Sequence, residues 1–391
     1  MKLKDKKIAI VGGGPGGLTL ARILQLRGVD VKVYERDVDQ TVRVQGSPLD
    51  LHEESGLKAL LKAGLLAEFR KSFLPGADRK KIVDPQGIVY FSDHESKQEE
   101  NFGNAGFRPE IDRGTLRQLL LTSLRPGTLQ WDRHFVTMEK HHSGWMLHFK
   151  NSVIEYADIV VAADGANSKI RPYITEIKPF YTGITMLEGT VANASRKVPQ
   201  VHTLVNGGKI MAFGNEKNLL MGQKGKEELG FYASFKAEES WAVQSQLDFG
   251  DNHKVLEWFR NTFYEWSEFW NELFENASVA FVPRPIYCMP LGQNWESQAN
   301  LTIIGDAAHV MPPFAGEGVN MAMLDALELA ENLLSDNYQT ISDAIKSFEI
   351  NMRKRATKAA KESLENGETM HAENALENIL NFFEGHIKIN Q

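Results

Sequence analysis

The chain opens on a tightly patterned unit. Ile8 to Val11 is an uninterrupted apolar run leading into Gly12-Gly13-Gly14-Pro15-Gly16-Gly17, and Leu18 to Arg27 then carries apolar positions at helical spacing up to Gly28. Val31 to Glu35 alternates apolar and polar residues. The pattern predicts strand, glycine turn, helix and strand, with Gly28 as the helix stop. Two further apolar strands, Asp158 to Ala163 and Leu301 to Ile304, each run straight into a loop rich in glycine and aspartate. Between them, Thr182 to Phe235 reads as strands and turns with little helical period. Asp251 to Phe274 predicts a helix bearing Phe259, Phe263, Trp266, Trp270 and Phe274, a stripe that suits a core better than a cofactor box. Val319, Ala322, Met323, Ala326, Ala330 and Leu333 mark another helix, and from Ala344 the chain is charged and helix-prone.

Composition narrows the function. With 391 residues the chain can build two or three domains and bury a large cofactor. A formal net charge of −7 disfavours nucleic acid and anionic membrane surfaces as partners. The single cysteine, Cys288, excludes an internal disulfide framework and reads as a small buried hydrophobe, a usage that suits a reducing cytoplasm. The apolar run after the lysine-rich start is too short for a signal peptide, and no stretch approaches the roughly 20 apolar residues of a membrane span. A cytoplasmic monomer is expected. The 11 histidines show no metal-ligand spacing, so no metal is expected.

Three motifs carry chemistry. In the first, Gly12, Gly14 and Gly17 form GxGxxG between a strand and a helix, with Glu35 closing the next strand. Glycines there allow a tight turn and close approach to a pyrophosphate, which meets the positive end of the helix, while the carboxylate meets ribose hydroxyls. Glu35 disfavours a 2′-phosphate at this position, so FAD or NAD fits. An ordinary glycine-rich turn is the plain alternative. The second motif is Asp164-Gly165-Ala166-Asn167-Ser168-Lys169-Ile170-Arg171. The third is Gly305-Asp306-Ala307-Ala308-His309, followed by Pro312-Pro313-Phe314-Ala315-Gly316-Glu317-Gly318-Val319-Asn320. Asp306 can accept from ribityl hydroxyls, and the helix at Gly318 and Val319 can aim its positive end at an isoalloxazine ring. His309 reads as structural.

These motifs, in this order over nearly the whole chain, resemble those of the class A flavoprotein monooxygenases, the aromatic-ring hydroxylases. The strings Val33-Tyr34-Glu35-Arg36-Asp37, Leu49-Asp50-Leu51-His52, Glu110-Ile111-Asp112-Arg113 and Pro312-Pro313-Phe314-Ala315-Gly316 look like the tetracycline-inactivating branch. The resemblance implies an α/β fold: a Rossmann-like FAD-binding domain of the p-hydroxybenzoate-hydroxylase type, a smaller β-sheet substrate domain and a C-terminal bridging helix. Residues 1–72, 106–176 and 290–350 would form the first, 73–105 and 177–289 the second, and 351–391 the helix.

It further implies that Glu35 and Arg36 hold the adenosine end, that Asp50, Arg113, Arg117 and Asp306 contact FAD, and that Arg43 engages the nicotinamide cofactor. Asp164, Pro313, Gly316, Gly318 and Val319 join the cofactor set. Read as bare residues, Arg113 and Arg117 have helix-surface charge as the plainer alternative. With one GxGxxG, NAD(P)H has no domain of its own and visits the flavin transiently, NADPH being favoured. Reduced FAD and oxygen would give a C4a-hydroperoxide that hydroxylates a small polycyclic or phenolic substrate, with a tetracycline one candidate, so no side chain is expected to act as the oxidant. The branch places a glutamine, an arginine and a histidine on its substrate sheet, where this chain has Glu188, Lys209 and Gly230. Met211, Phe314, Gly316, Asn366 and Met370 match its pocket. A flavin-dependent reductase or dehydrogenase and a non-enzymatic ligand-binding flavoprotein are the alternatives.

Overall fold

The computed structural model describes residues 3–41, 48–95, 102–104, 106–225 and 227–389, with side chains up to 383. Five strands form a parallel sheet in the order Leu301–Ile303, Ile159–Ala162, Ile8–Val11, Val31–Tyr34, Leu129–Gln130, and every pairing is parallel. The central strands are apolar on both sides because both sides are covered, as parallel sheets require. Ile8–Val11 and Ile159–Ala162 are buried throughout. Their register sets Ile10 between Val161 and Val33 and ends both strands level, so the turns that follow share one edge. Helices α1 (Pro15–Leu26), α2 (Arg113–Thr122) and α4 (Gly318–Leu334) cover this sheet, with α1 packed on both others.

A seven-stranded sheet forms the second layer. Its order is Val282–Cys288, Phe180–Val191, Leu229–Lys236, Lys217–Gln223, Lys209–Phe213, Lys80–Val83, Val89–Ser92. Only the Lys209–Phe213 and Lys80–Val83 pair runs parallel. The two-residue period of a strand gives each face its own set of side chains. Leu187, Ile210, Ala212, Leu219, Phe231 and Ala233 pack into an aromatic core with Phe259, Phe263, Trp270 and Phe274. The alternate residues, among them Met186, Glu188, Met211, Phe213, Asn218, Leu220 and Ser234, fall on the other face.

The segment Asp251 to Phe274 is not one helix. Asp251 caps α3 (Asn252–Thr262) through bonds from the His253 and Lys254 amides, and the chain then turns through Glu268–Trp270 into a short helix at Asn271–Glu275. Folding back stacks Phe274 on Phe259 at 4.0 Å, a contact that a continuous helix would forfeit. In the strand-rich stretch, short helices at Ala194–Lys197 and Pro199–Val205 interrupt the sheet.

The C-terminal region also differs from a single helix starting at 351. Helix α5 (Ile341–Met370) starts earlier, on a reciprocal Thr340–Asp343 capping box, and α6 (Ala375–Ile389) follows after a break. Among the described residues, no helix is long and apolar enough to cross a membrane.

Candidate cofactor and substrate site

The glycine turn is shaped by what it excludes. Gly12 has φ +115°, and a Cβ there would collide with the Ala163 carbonyl; one at Gly17 would strike the Gly12 carbonyl. Gly14, in contrast, faces open space. It stands before α1, whose first N–H groups receive no side-chain cap and are left to face a ligand. Glu35, buried at the end of its strand, accepts from the Gly13 amide at 2.7 Å and the Asp37 amide at 3.1 Å. Arg117, also buried, donates to Asp37 and to the Gln40 carbonyl, both at 3.2 Å, and so holds the segment after Glu35. Arg36 is exposed. Arg43 lies outside the described residues.

The second and third motifs brace each other. Asp164 Oδ2 accepts from the Lys169 amide at 2.8 Å and Ser168 Oγ from the Arg171 amide at 2.9 Å, which close the loop. Arg171 then donates to the Ala307 and Asp306 carbonyls at 2.6 and 3.1 Å. Asp164 Oδ1 is buried with no hydrogen-bond partner among the described residues. His309 sits against Asp325 at 2.6 Å, and Asp325 is bound in turn by Arg355 and the Gly305 amide. The histidine is thus a structural anchor, as its sequence context suggests.

Asp306 combines two properties. Protein surrounds it closely enough that desolvation raises its carboxyl above the usual range, against the pull of His309, Arg113 and Arg171. Its side chain nevertheless opens to solvent, as Arg113 does. That combination marks the floor of a cleft. Across it starts α4, whose first N–H groups are likewise uncapped by any side chain. Gly316 (φ +69°) precedes it, and a Cβ there would lie 3.1 Å from Asp50 Oδ1. The donors and acceptors therefore fit a dinucleotide: two open helix starts, a carboxylate at Glu35 beside the glycine turn and a second carboxylate at Asp306.

The polar neighbours of this cleft include groups that sequence reasoning left without a role. Asn320 Nδ2 donates to the Asp50 and Gly316 carbonyls, while its Oδ1 accepts from the His52 amide. Glu110, paired across from Asp50 in a two-stranded ladder, is buried and bound by Lys209. Burial outweighs the lysine and pushes the Glu110 carboxyl up to about 7. Lys209 is therefore held by the protein, as is Glu188, which accepts from Arg284 at 2.5 Å.

Met211, Leu220, Phe213, Phe314 and Met370 gather with Ile379 into an apolar cluster under the start of α6. Asn366 donates to the Phe314 carbonyl at 3.1 Å, and Gly367 leaves room for the Phe314 ring. His371 locks this corner: its Nδ1 faces the Gly367 carbonyl at 2.8 Å, so Nε2 accepts from Ser234 at 2.7 Å and Asn218 at 3.1 Å. The structure thus brings Met211, Phe314, Asn366 and Met370 together, beside the loop Pro313–Gly318. His371, Ser234, Arg284 and the break before α6 lay outside the sequence reading, since nothing in local spacing links Ser234 to His371.

A parallel sheet with paired helix starts at one edge, joined to a second sheet by a clamped apolar corner, is the architecture of a dinucleotide-binding protein. The chain belongs to the FAD-dependent monooxygenase family: the family's model, described as an FAD binding domain, matches residues 5–363. The monooxygenase asqM of Emericella nidulans is 31% identical over 396 residues, covering 88% of this chain and 87% of that protein. Among solved structures, Klebsiella pneumoniae HpxO with FAD and uric acid matches at TM-score 0.79 and 18% identity, over 98% of this chain and 93% of that one. The tetracycline destructase Tet(55) matches at TM-score 0.76 and 18% identity, over 98% and 96%. At those identities the two structures share the fold.

Proposed function

We propose that this protein uses NAD(P)H, NADPH by preference, and O2 to hydroxylate a small neutral polycyclic or phenolic compound. The observation that carries the reading is the adjacency of the Asp306 cleft and the α4 start to the apolar corner of Met211, Phe314 and Met370. Bound FAD would supply the redox chemistry, taking a hydride from NAD(P)H and activating oxygen. The chain's own groups do the rest. Gly12, Gly14 and Gly17 admit the pyrophosphate, with Asp164 beside it, and Arg36 joins Glu35 at the adenosine end. Glu35 takes the adenosine ribose, and Asp306 and Arg113 hold the ribityl end. Asp50, Pro313, Gly316, Gly318 and Val319 line the ring, and Arg43 engages the nicotinamide cofactor. The α4 start stabilises negative charge on the reduced ring.

Met211, Phe314 and Met370 position an apolar substrate and exclude water, with Asn366 fixing the Phe314 backbone. Lys209 is paired with Glu110 and Glu188 with Arg284, so neither of these two charges is committed to an ionic substrate, which supports a neutral one. The FAD part is assigned to 1–72, 106–176 and 290–350, the substrate part to 73–105 and 177–289, and 351–391 to the bridging C-terminal region of a cytoplasmic monomer.

The test is NADPH consumption by the purified yellow protein across a panel of polycyclic phenols, with mass spectrometry of products. Stimulated consumption with gain of one oxygen is expected. NADPH oxidation without oxygenated product would instead indicate a reductase.

A further inference from the structure

Two carboxylates stand at the start of α4 with a histidine wedged between them. His52 Nε2 lies 3.1 Å from Asp50 Oδ2, and its Nδ1 lies 3.3 Å from Glu317 Oε1. The second contact is at ion-pair range but bent off a straight hydrogen bond. The ring is 1% exposed, while the carboxylates are 23% and 17% exposed.

The imidazole is not needed to tie these segments together. Asn320 already does so: its Oδ1 accepts from the His52 amide and the Ser55 hydroxyl, and its Nδ2 donates to the Asp50 and Gly316 carbonyls. What the ring adds is charge. Burial opposes protonation, but the hydrogen bond to Asp50, the close contact with Glu317 and the charge of Asp50 outweigh it and raise His52 to about 9. Of the other charged groups facing the cluster, Arg108 opposes protonation of His52, and Lys209 helps hold Asp50 in its charged form.

We infer that His52 is a positioning residue for flavin reduction, its positive charge offsetting Asp50 and Glu317 so that the first turn of α4 stays receptive to an anionic reduced ring. The inference rests on the reading above that the flavin lies at that helix start. Hydride transfer from NAD(P)H moves two electrons and one proton to FAD and leaves NAD(P)+, so the reduced ring carries one negative charge more than the oxidised one. Two uncompensated carboxylates beside it would oppose that change. With His52 in place their combined charge falls by one, and the dipole of α4 retains its effect.

The test compares the midpoint potential of bound FAD in wild type, His52→Gln, Glu317→Gln and the double variant, with flavin absorbance confirming occupancy. His52→Gln is expected to weaken the preference for reduced over oxidised flavin about tenfold, a fall of about 30 mV for a two-electron couple. Glu317→Gln should shift the potential the opposite way, and the double variant should return near wild type. A merely structural histidine would give no such opposition of sign. An unchanged potential in His52→Gln, or shifts of the same sign in both single variants, overturns the inference. Should His52→Gln fail to fold or hold FAD, Glu317→Gln decides alone, and a fall or no change overturns it. A wild-type protein that binds no FAD would overturn the functional reading first, and this inference with it.

Discussion

Asp306 is crowded enough for its carboxyl to be raised, yet it opens into a cleft with Arg113. A carboxylate so placed gains most when donors arrive, which is what ribityl hydroxyls supply. Asp306→Ala should weaken FAD binding by about 1.5–3 kcal/mol, roughly ten- to more than a hundredfold. Titration of apoprotein with FAD, followed by flavin fluorescence, checks this, and an unchanged affinity would remove Asp306 from the site. Residues of this kind were legible in the sequence because their chemistry is local: Gly12, Glu35 and Asp306 each follow directly from a strand end. Lys209 was legible as a cation but not as one already engaged, because Glu110 lies far off in the chain on a strand that does not pair with the one bearing Lys209.

At the scale of elements, the junction of α5 and α6 is the most informative. The charged, helix-prone composition from Ala344 onward announced helix but not the break, which is fixed by tertiary bonds from His371 to Ser234 and Asn218. Those bonds need a neutral ring, and burial pushes His371 down to about 4 from the ordinary 6.5. The folded protein then declines a proton that the unfolded chain accepts. Stability should fall as pH falls through the window between those two values, by up to roughly 1.4 kcal/mol per pH unit. Urea melts of wild type and His371→Gln at about pH 7 and about pH 5 should differ in their acid loss by about 2 kcal/mol, wild type losing more. Parallel curves would mean that His371 titrates normally. The aromatic segment 251–274 went astray in the same way, its helical spacing being real but its continuity overruled by the Phe259–Phe274 stack.

Over the whole molecule, the order of the three motifs revealed the fold, because each marks where a parallel strand meets the cofactor edge. The substrate face was far less legible, being assembled from strands, a loop and two C-terminal helices whose contacts span the chain. Its charges are internally paired, with Glu188 on Arg284 and Lys209 on Glu110. An anionic tetracycline edge would find no free cation among these and would forgo a charge-assisted bond worth about 1.5–3 kcal/mol. Weak or absent tetracycline turnover is therefore expected in steady-state kinetics, and efficient hydroxylation at low micromolar KM would contradict the pocket argument.

The central claim is oxygen transfer at an FAD site. It is tested most directly by turnover with NADPH under dioxygen labelled with oxygen-18, using the best substrate from the phenolic panel. The account predicts one heavy oxygen atom in each product molecule. Product bearing none, or oxygen drawn from water, would contradict it.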